Sequence, residues 1–278
     1  MLPNLIVIGA LKSGTTSLHR YLAKHSQIAM SEPKELRFFI EERNWTKGLA
    51  WYESHFTEPA PVRGESSPDY TAYPGWAGVP ERMAGVVPDA KLIYLVRDPL
   101  ERIVSEYRFR HWIERVEMRP FSEVVADPDA SQFVANSRYA MQLDRYLQHF
   151  PAERILVVDS ADLAERRGDT LRGVFRFLGV DERFTSAAFA DVHNETDALH
   201  RNALGMAAVD VLNRVLGRSR ASALRHRAPQ PVLRLIRTSR APIVELAPSL
   251  RSSLVDYLKA DTDRFRALTG MDFVHWSV

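Results

Sequence analysis

The feature that most limits how this chain can fold lies near its start. Four apolar residues, Leu5-Ile6-Val7-Ile8, run directly into Gly9-Ala10-Leu11-Lys12-Ser13-Gly14-Thr15-Thr16-Ser17. A short continuous apolar run bounded by glycine suits a strand buried on both faces of a parallel sheet. From Thr15 to His25 the spacing becomes helical, with Leu18, Tyr21 and Leu22 on one face. A strand, a glycine-bounded loop and a helix in that order open a nucleotide-type α/β domain.

The same alternation recurs downstream. Lys91-Leu92-Ile93-Tyr94-Leu95-Val96 reads as a second buried strand that ends at Arg97-Asp98-Pro99, with a helix predicted from Glu101 through Arg110. Ile155-Leu156-Val157-Val158 reads as a third strand, after a helix around Tyr139 to Phe150. Leu171 to Leu178 reads as a helix closed by Gly179. The last predicted helix runs from about Ser249 to Leu268, with Leu250, Leu254, Leu258 and Phe265 as its apolar stripe. Such repetition argues for a parallel sheet flanked by helices. The expected organisation is a single domain over 1–278, long enough to bury a full core.

Composition serves here mainly to exclude. With no cysteine, disulfides and thiolate metal sites are ruled out; a reducing compartment fits, and the expected location is cytoplasmic. No signal peptide is read, and no run reaches the roughly 18 apolar residues needed to span a bilayer. A formal charge of +2 is too small to argue for nucleic acid, and none is expected as a partner. The distribution of charge says more: Arg218, Arg220, Arg225, Arg227, Arg234, Arg237 and Arg240 have no Asp or Glu between them. That stretch suits a solvated helical face, a rim for an anionic ligand, or a peripheral membrane-surface helix.

The first loop has the chemistry of an anion site. Between a strand and a helix it aims backbone N–H groups and the positive end of the helix dipole at a ligand. The hydroxyls of Thr15, Thr16 and Ser17 add donors. It has the glycine spacing of a Walker A loop, but Thr15 stands where that loop has its lysine, and Lys12 is displaced to a place before Gly14. A lysine there can reach a 5′-phosphate and its leaving oxygen. A second anchor is Arg97, at the end of a strand, with Ser105 eight residues on, near two helical turns. A guanidinium fork and a hydroxyl converging on one phosphate make a sound site. Arg97 and Asp98 would equally suit a surface ion pair.

Together these motifs resemble the family of sulfotransferases that use 3′-phosphoadenosine 5′-phosphosulfate (PAPS), and among them the branch of the heparan sulfate glucosaminyl N- and 3-O-sulfotransferases and their bacterial relatives. Gly-x-x-Lys-x-Gly-Thr-Thr is similar to that family's 5′-phosphosulfate loop, which implies that Lys12, Ser13, Gly14, Thr15, Thr16 and Ser17 bind the cofactor. Lys12 would hold the bridging oxygen and sulfonate. Arg97-Asp98-Pro99-Leu100-Glu101-Arg102-Ile103-Val104-Ser105-Glu106-Tyr107 looks like its 3′-phosphate motif R-D-P-x-x-R-x-x-S-x-Y. Thr238-Ser239-Arg240-Ala241-Pro242 resembles the late loop over the same phosphate, with Arg240 as its contact, and Asn194 marks the loop before it.

Glu32-Pro33-Lys34-Glu35-Leu36-Arg37-Phe38-Phe39 is similar to the stretch that carries the family's catalytic glutamate, so Glu35 is the candidate general base. A placed carboxylate that takes an acceptor proton typically contributes about 10²- to 10⁴-fold. Arg37 departs from the His or Gln expected there. It either holds an anionic acceptor or pairs with Glu35 and weakens it as a base. Gly64-Glu65-Ser66-Ser67-Pro68-Asp69-Tyr70 matches a landmark that lines the cleft after a strand, with Ser66 where the 3-O-sulfotransferases carry lysine. Gly48-Leu49-Ala50-Trp51-Tyr52 is another landmark, whose Trp51 and Tyr52 read as core.

The resemblance implies a P-loop-containing parallel sheet of the sulfotransferase fold. Where the glucosaminyl branch has a short disulfide-bonded hairpin, this chain departs from it with a basic, mostly helical insertion over 204–237, which is expected to lid the acceptor cleft. The resemblance also implies sulfuryl transfer from PAPS, leaving PAP, to a hydroxyl or amine on a small molecule or glycan, with no metal required. Two other readings stay open at this point. One is a P-loop small-molecule kinase, which ATP would serve without any 3′-phosphate contact. The other is a non-catalytic polyanion-binding protein of the same fold.

Overall fold

Every strand expected from an apolar run is present, and two more join them. In the computed structural model, which describes residues 1–190, 244 and 246–278, the first half runs β1 (Leu5–Gly9), α1 (Thr15–Leu22), β2 (Ile28–Met30), α2 (Gly48–Glu53), β3 (Val62–Ser66), α3 (Val79–Val86) and β4 (Lys91–Val96). Then follow α4 (Pro99–Arg108), α5 (Phe121–Val124), α6 (Gln132–Ala135), α7 (Tyr139–Leu147), β5 (Ile155–Asp159), α8 (Ser160–Glu165), α9 (Arg167–Leu178) and, after the undescribed stretch, α10 (Pro248–Thr269). Helix α4 starts two residues before the expected Glu101, because Pro99 fits the first helical position and Asp98 Oδ1 accepts the Glu101 N–H at 3.0 Å. The basic insertion over 204–237, Asn194 and Arg240 lie outside the described residues.

The five strands form one sheet in the order β2-β3-β1-β4-β5, with every neighbouring pair parallel. Side-chain alternation along β1 and β4 divides the core in two. Ile6, Ile8, Leu92, Tyr94 and Val96 pack on one face; Leu5, Val7, Ile93 and Leu95 pack on the other. All are sealed from water, which is why these strands read as unbroken apolar runs. At about 1.5–3 kcal/mol for each large aliphatic side chain buried, the two central strands anchor the fold. Helix α10 closes the first face through Phe265, whose ring stacks on Trp276 and Phe273 of the chain's last residues.

Gly9, the last residue of β1, is required by packing: a Cβ there would sit 1.9 Å from Thr71 Oγ1. The chain divides into two units. The larger comprises Met1–Glu106, Arg119–His193 and Leu246–Val278, and the smaller comprises Tyr107–Met118 and Asn194–Glu245. Within the described part of the smaller unit, the rings of Tyr107 and His111 stack at 5.1 Å.

Candidate functional site

The central strands β3, β1 and β4 are neighbours and run the same way, so the segments leaving their C-terminal ends gather at one edge of the sheet. Those segments carry Ser66 and the turn pinned to it, the Lys12 loop, and Arg97. The Ala10 N–H bonds Leu95 O at 2.6 Å and fixes the start of the loop against the end of β4. Lys12 takes a left-handed backbone (φ 74°), and Gly14 does too (φ 93°). Glycine tolerates that conformation, whereas a lysine is strained in it. No side chain caps α1, so the first N–H groups of the helix face the loop's concavity. Ser13 Oγ is 1% exposed at the residue level and has no well-formed hydrogen bond among the described residues. An uncapped helix start, a lysine and an orphaned buried hydroxyl together fit a bound phosphate group.

On the neighbouring strand, Arg97 is the first residue beyond β4. Its guanidinium grips Glu101 rather than the adjacent Asp98, with Nε and Nη2 at 2.9 and 2.7 Å from Oε2. The pair is well exposed and therefore weak, so an incoming phosphate can displace Glu101. Asp98 instead works inward, capping α4 and accepting the Ser277 N–H of the C-terminal segment. Ser105 is buried on α4 beyond Arg97. Arg102, the second arginine of the motif, is fully buried. It pairs with Glu106 Oε2 at 2.6 Å, donates to Ser137 Oγ and Phe133 O at 2.5 Å, and approaches Leu11 O at 3.5 Å. That last contact ties the 3′-motif helix to the first loop.

The third segment is the turn of Glu35 and Arg37. Both residues have positive φ (68° and 50°), and strain of this kind concentrates at functional sites. The turn is pinned to the end of β3 by two bonds. The Glu35 N–H donates to Ser66 O at 3.0 Å, and the Arg37 N–H donates to Ser67 Oγ at 2.9 Å. The Glu35 carboxylate is clamped between Lys34 Nζ at 2.6 Å and Arg37 Nη2 at 2.7 Å. Burial pushes this carboxyl upward, but Lys34 and then Arg37 outweigh it and hold it below its ordinary value. Of the two roles open to Arg37, the structure shows the pairing with Glu35. Its Nε also lies 2.8 Å from Asp69 Oδ2, with the distance but not the angle of a hydrogen bond.

Several site residues escaped the sequence reading. Lys34 and Asp69 flank the Glu35–Arg37 pair. Glu65 is fully buried and accepts from Tyr52 Oη, Ser67 Oγ and Tyr70 Oη at 2.7, 2.7 and 2.9 Å. Burial raises its pKa against the pull of those three hydroxyls. Ser66, on the strand, meets His19 Nδ1 of α1 at 3.0 Å. Desolvation, helped by Lys34 and Arg20, lowers His19 to about 4 and keeps it neutral. The available signal was a glutamate and serines inside an otherwise ordinary strand, where polar residues need partners from elsewhere in the chain. Tyr52 is core as expected, fully buried against Phe38 with ring centroids 4.2 Å apart, and Trp51 packs partly buried beside it.

Chemically, the edge offers a cation-bearing anion loop, an arginine, Arg97, that can release its partner, and a carboxylate on a strained turn. Among the described residues no group of three or more His, Asp or Glu is placed to hold a metal ion, and no helix is long and apolar enough to cross a membrane.

Comparison with known proteins bears on the family and the fold. The family described as "Sulfotransferase domain" matches residues 2–196. The membrane-associated sulfotransferase kil1 of Dictyostelium discoideum is 41% identical over 125 residues, which cover 43% of this chain and 26% of kil1. Heparan sulfate glucosamine 3-O-sulfotransferase 5 of Mus musculus is 30% identical over 197 residues, covering 66% of this chain and 55% of that protein. The chain thus spans less than two thirds of these relatives' length. A sulfotransferase from Alicyclobacillus acidocaldarius superposes with a TM-score of 0.69 at 23% identity, with both chains fully covered. Mouse sulfotransferase SULT7A1, solved with PAP, superposes at 0.53 and 14% identity over 99% of this chain and 88% of its own, so these two structures speak for the fold alone. With a match over more than half its length, the chain belongs to the sulfotransferase domain family.

Proposed function

We propose that this chain transfers a sulfuryl group from PAPS to a hydroxyl or amine acceptor, with a carbohydrate-type hydroxyl favoured. The observation that carries the reading is the convergence at one sheet edge of the Lys12 loop after β1, Arg97 after β4, and the Glu35 turn, which follows β2 and is pinned to the end of β3. A relative named for sulfation of heparan sulfate glucosamine supports the class of acceptor, and a neighbour of the same fold solved with PAP supports the donor. The displaced lysine favours this reading over a kinase, because Thr15 occupies the position of the Walker lysine.

When bound, PAPS supplies a sulfuryl group on a phosphate leaving group. The loop N–H groups, Ser13, Thr15, Thr16 and Ser17 hold the 5′-phosphate at the start of α1. Lys12 neutralises the charge that builds on the departing phosphate oxygen. Arg97 exchanges Glu101 for the 3′-phosphate, with Ser105 beside it. Glu35 takes the proton of the acceptor, and Lys34 and Arg37 fix its orientation. The chemistry is positioning and charge stabilisation.

A thermal-shift series with PAP, ADP and AMP tests the donor, and turnover with labelled PAPS over an acceptor panel tests the reaction. PAP is expected to stabilise most, and Lys12→Ala and Glu35→Gln to lose turnover. Stabilisation by ADP with Mg²⁺ equal to that by PAP supports a kinase instead. Tight PAP binding with no turnover on any acceptor supports a binding protein.

A further inference from the structure

One fully buried polar group that no step above uses stands at the start of α7. Tyr139, its first residue, is 1% exposed. Its hydroxyl donates to Arg97 O at 2.8 Å and accepts from the Arg97 N–H at 3.3 Å, so it engages both backbone groups of one residue. A phenol has one proton and two lone pairs, so one lone pair remains. The Ser13 hydroxyl of the first loop, buried and without a well-formed hydrogen bond among the described residues, lies near enough to act on it. The ring cannot shift to relax these contacts. Tyr94, Phe265 and Trp276 surround it with centroids 5.9, 5.5 and 5.5 Å away. Two residues earlier, Ser137 accepts from Arg102, which reaches Leu11 of the same loop.

We propose that Tyr139 is a positioning residue of the donor site. Its hydroxyl locks the backbone of Arg97 to the Ser13 loop and so holds the two phosphate anchors at the spacing of one nucleotide. The inference rests on the PAPS reading and deepens it. Among the described residues the side chain of Arg97 is held only by an exposed pair with Glu101, so its aim depends on where its backbone is fixed. A ligand with phosphates at both ends feels that spacing, and one with a single phosphate does not.

The test is Tyr139→Phe, which keeps the ring and its packing, with calorimetric titration of PAP and AMP. Tyr146→Phe is the control: it lies on the same helix, is buried, and donates to Tyr70 O at 2.8 Å away from the anchors. Loss of a buried bond of this kind corresponds to about five- to tenfold in affinity. Tyr139→Phe is therefore expected to weaken PAP by about that factor and AMP by less than about twofold, while Tyr146→Phe leaves the PAP-to-AMP ratio unchanged. Ser13→Ala loses a 5′-phosphate contact that PAP and AMP share, so both weaken, but it also removes the loop side of the Tyr139 contact and is expected to lower the ratio as well, which keeps the test open if Tyr139→Phe does not fold. A wild-type ratio in the folded variants overturns the positioning role alone. Equal affinity of the wild-type chain for PAP and AMP overturns the donor reading together with it.

Discussion

A single hydroxyl, that of Ser67, connects the buried carboxyl of Glu65 to the strained turn that carries Glu35. It donates to Glu65 Oε2 at 2.7 Å and accepts the Arg37 N–H at 2.9 Å. Ser67→Ala removes both bonds and almost no volume, so cavity effects are minor. A bond to a buried carboxyl contributes about 1–3 kcal/mol according to its charge, and the half-buried Arg37 N–H adds up to about 1 because water can partly replace its acceptor. The expected loss is about 2–3 kcal/mol. With a urea slope near the upper end of about 1–3 kcal/mol/M, the unfolding midpoint drops by about 0.7–1 M. Because Arg37 anchors the turn, Glu35 also loses its fixed place, and kcat should fall by about tenfold while KM for PAPS holds. Urea titration followed by fluorescence and steady-state kinetics read the two effects. A midpoint within about 0.2 M of wild type, with kcat unchanged, would refute the coupling of Glu65 to the turn.

Three further outcomes are expected. Glu101→Gln frees Arg97 from its exposed partner and should tighten PAP by about two- to threefold at low salt, with the gain fading at high salt; calorimetry at two ionic strengths checks it. Since Lys34 and Arg37 outweigh burial at Glu35, the acid limb of kcat/KM should lie below the ordinary 4.5, and the stability this carboxylate contributes is present above that value and lost as pH falls through the depressed one. Arg37→Gln removes one of the two cations, so the limb should move to higher pH, and an unmoved limb in the pH–rate profile contradicts the clamp. Finally, Glu106→Leu strands the buried Arg102 and should cost about 3–5 kcal/mol, while the double variant Arg102→Met/Glu106→Leu should recover a large part of it in urea unfolding.

The elements legible in advance were those whose burial comes from their own side chains. β1, β4 and β5 appear within one residue of their apolar runs, and α10 follows its stripe of Leu254, Leu258 and Phe265. β3 gives no such pattern. Val62-Arg63-Gly64-Glu65-Ser66 looks like exposed chain, yet its last three residues are sealed from water. Tyr52 and Tyr70, together with Ser67, satisfy Glu65, and His19 meets Ser66 from α1. The two tyrosines lie 13 and 5 residues from Glu65 in sequence and His19 lies 47 from Ser66, at separations no periodicity registers. β2, three residues long, is likewise held by its neighbour and not by any run of its own.

At the site, residue types and spacing pointed to Lys12, Arg97 and Ser105, because an anion loop and a guanidinium–hydroxyl pair are local patterns, whereas Glu35 came from the family resemblance. Their protonation and partners were not local. Sequence left Arg37 free to grip an acceptor or Glu35, and left a surface pair with Asp98 as the alternative to a phosphate contact at Arg97. Folding decided both, by bringing Asp69 and Lys34 around Arg37 and Glu35 and by turning Asp98 toward α4 and the C-terminal segment. The physical reason is that charge pairing and desolvation depend on distances between chain segments, which only the packed sheet edge sets.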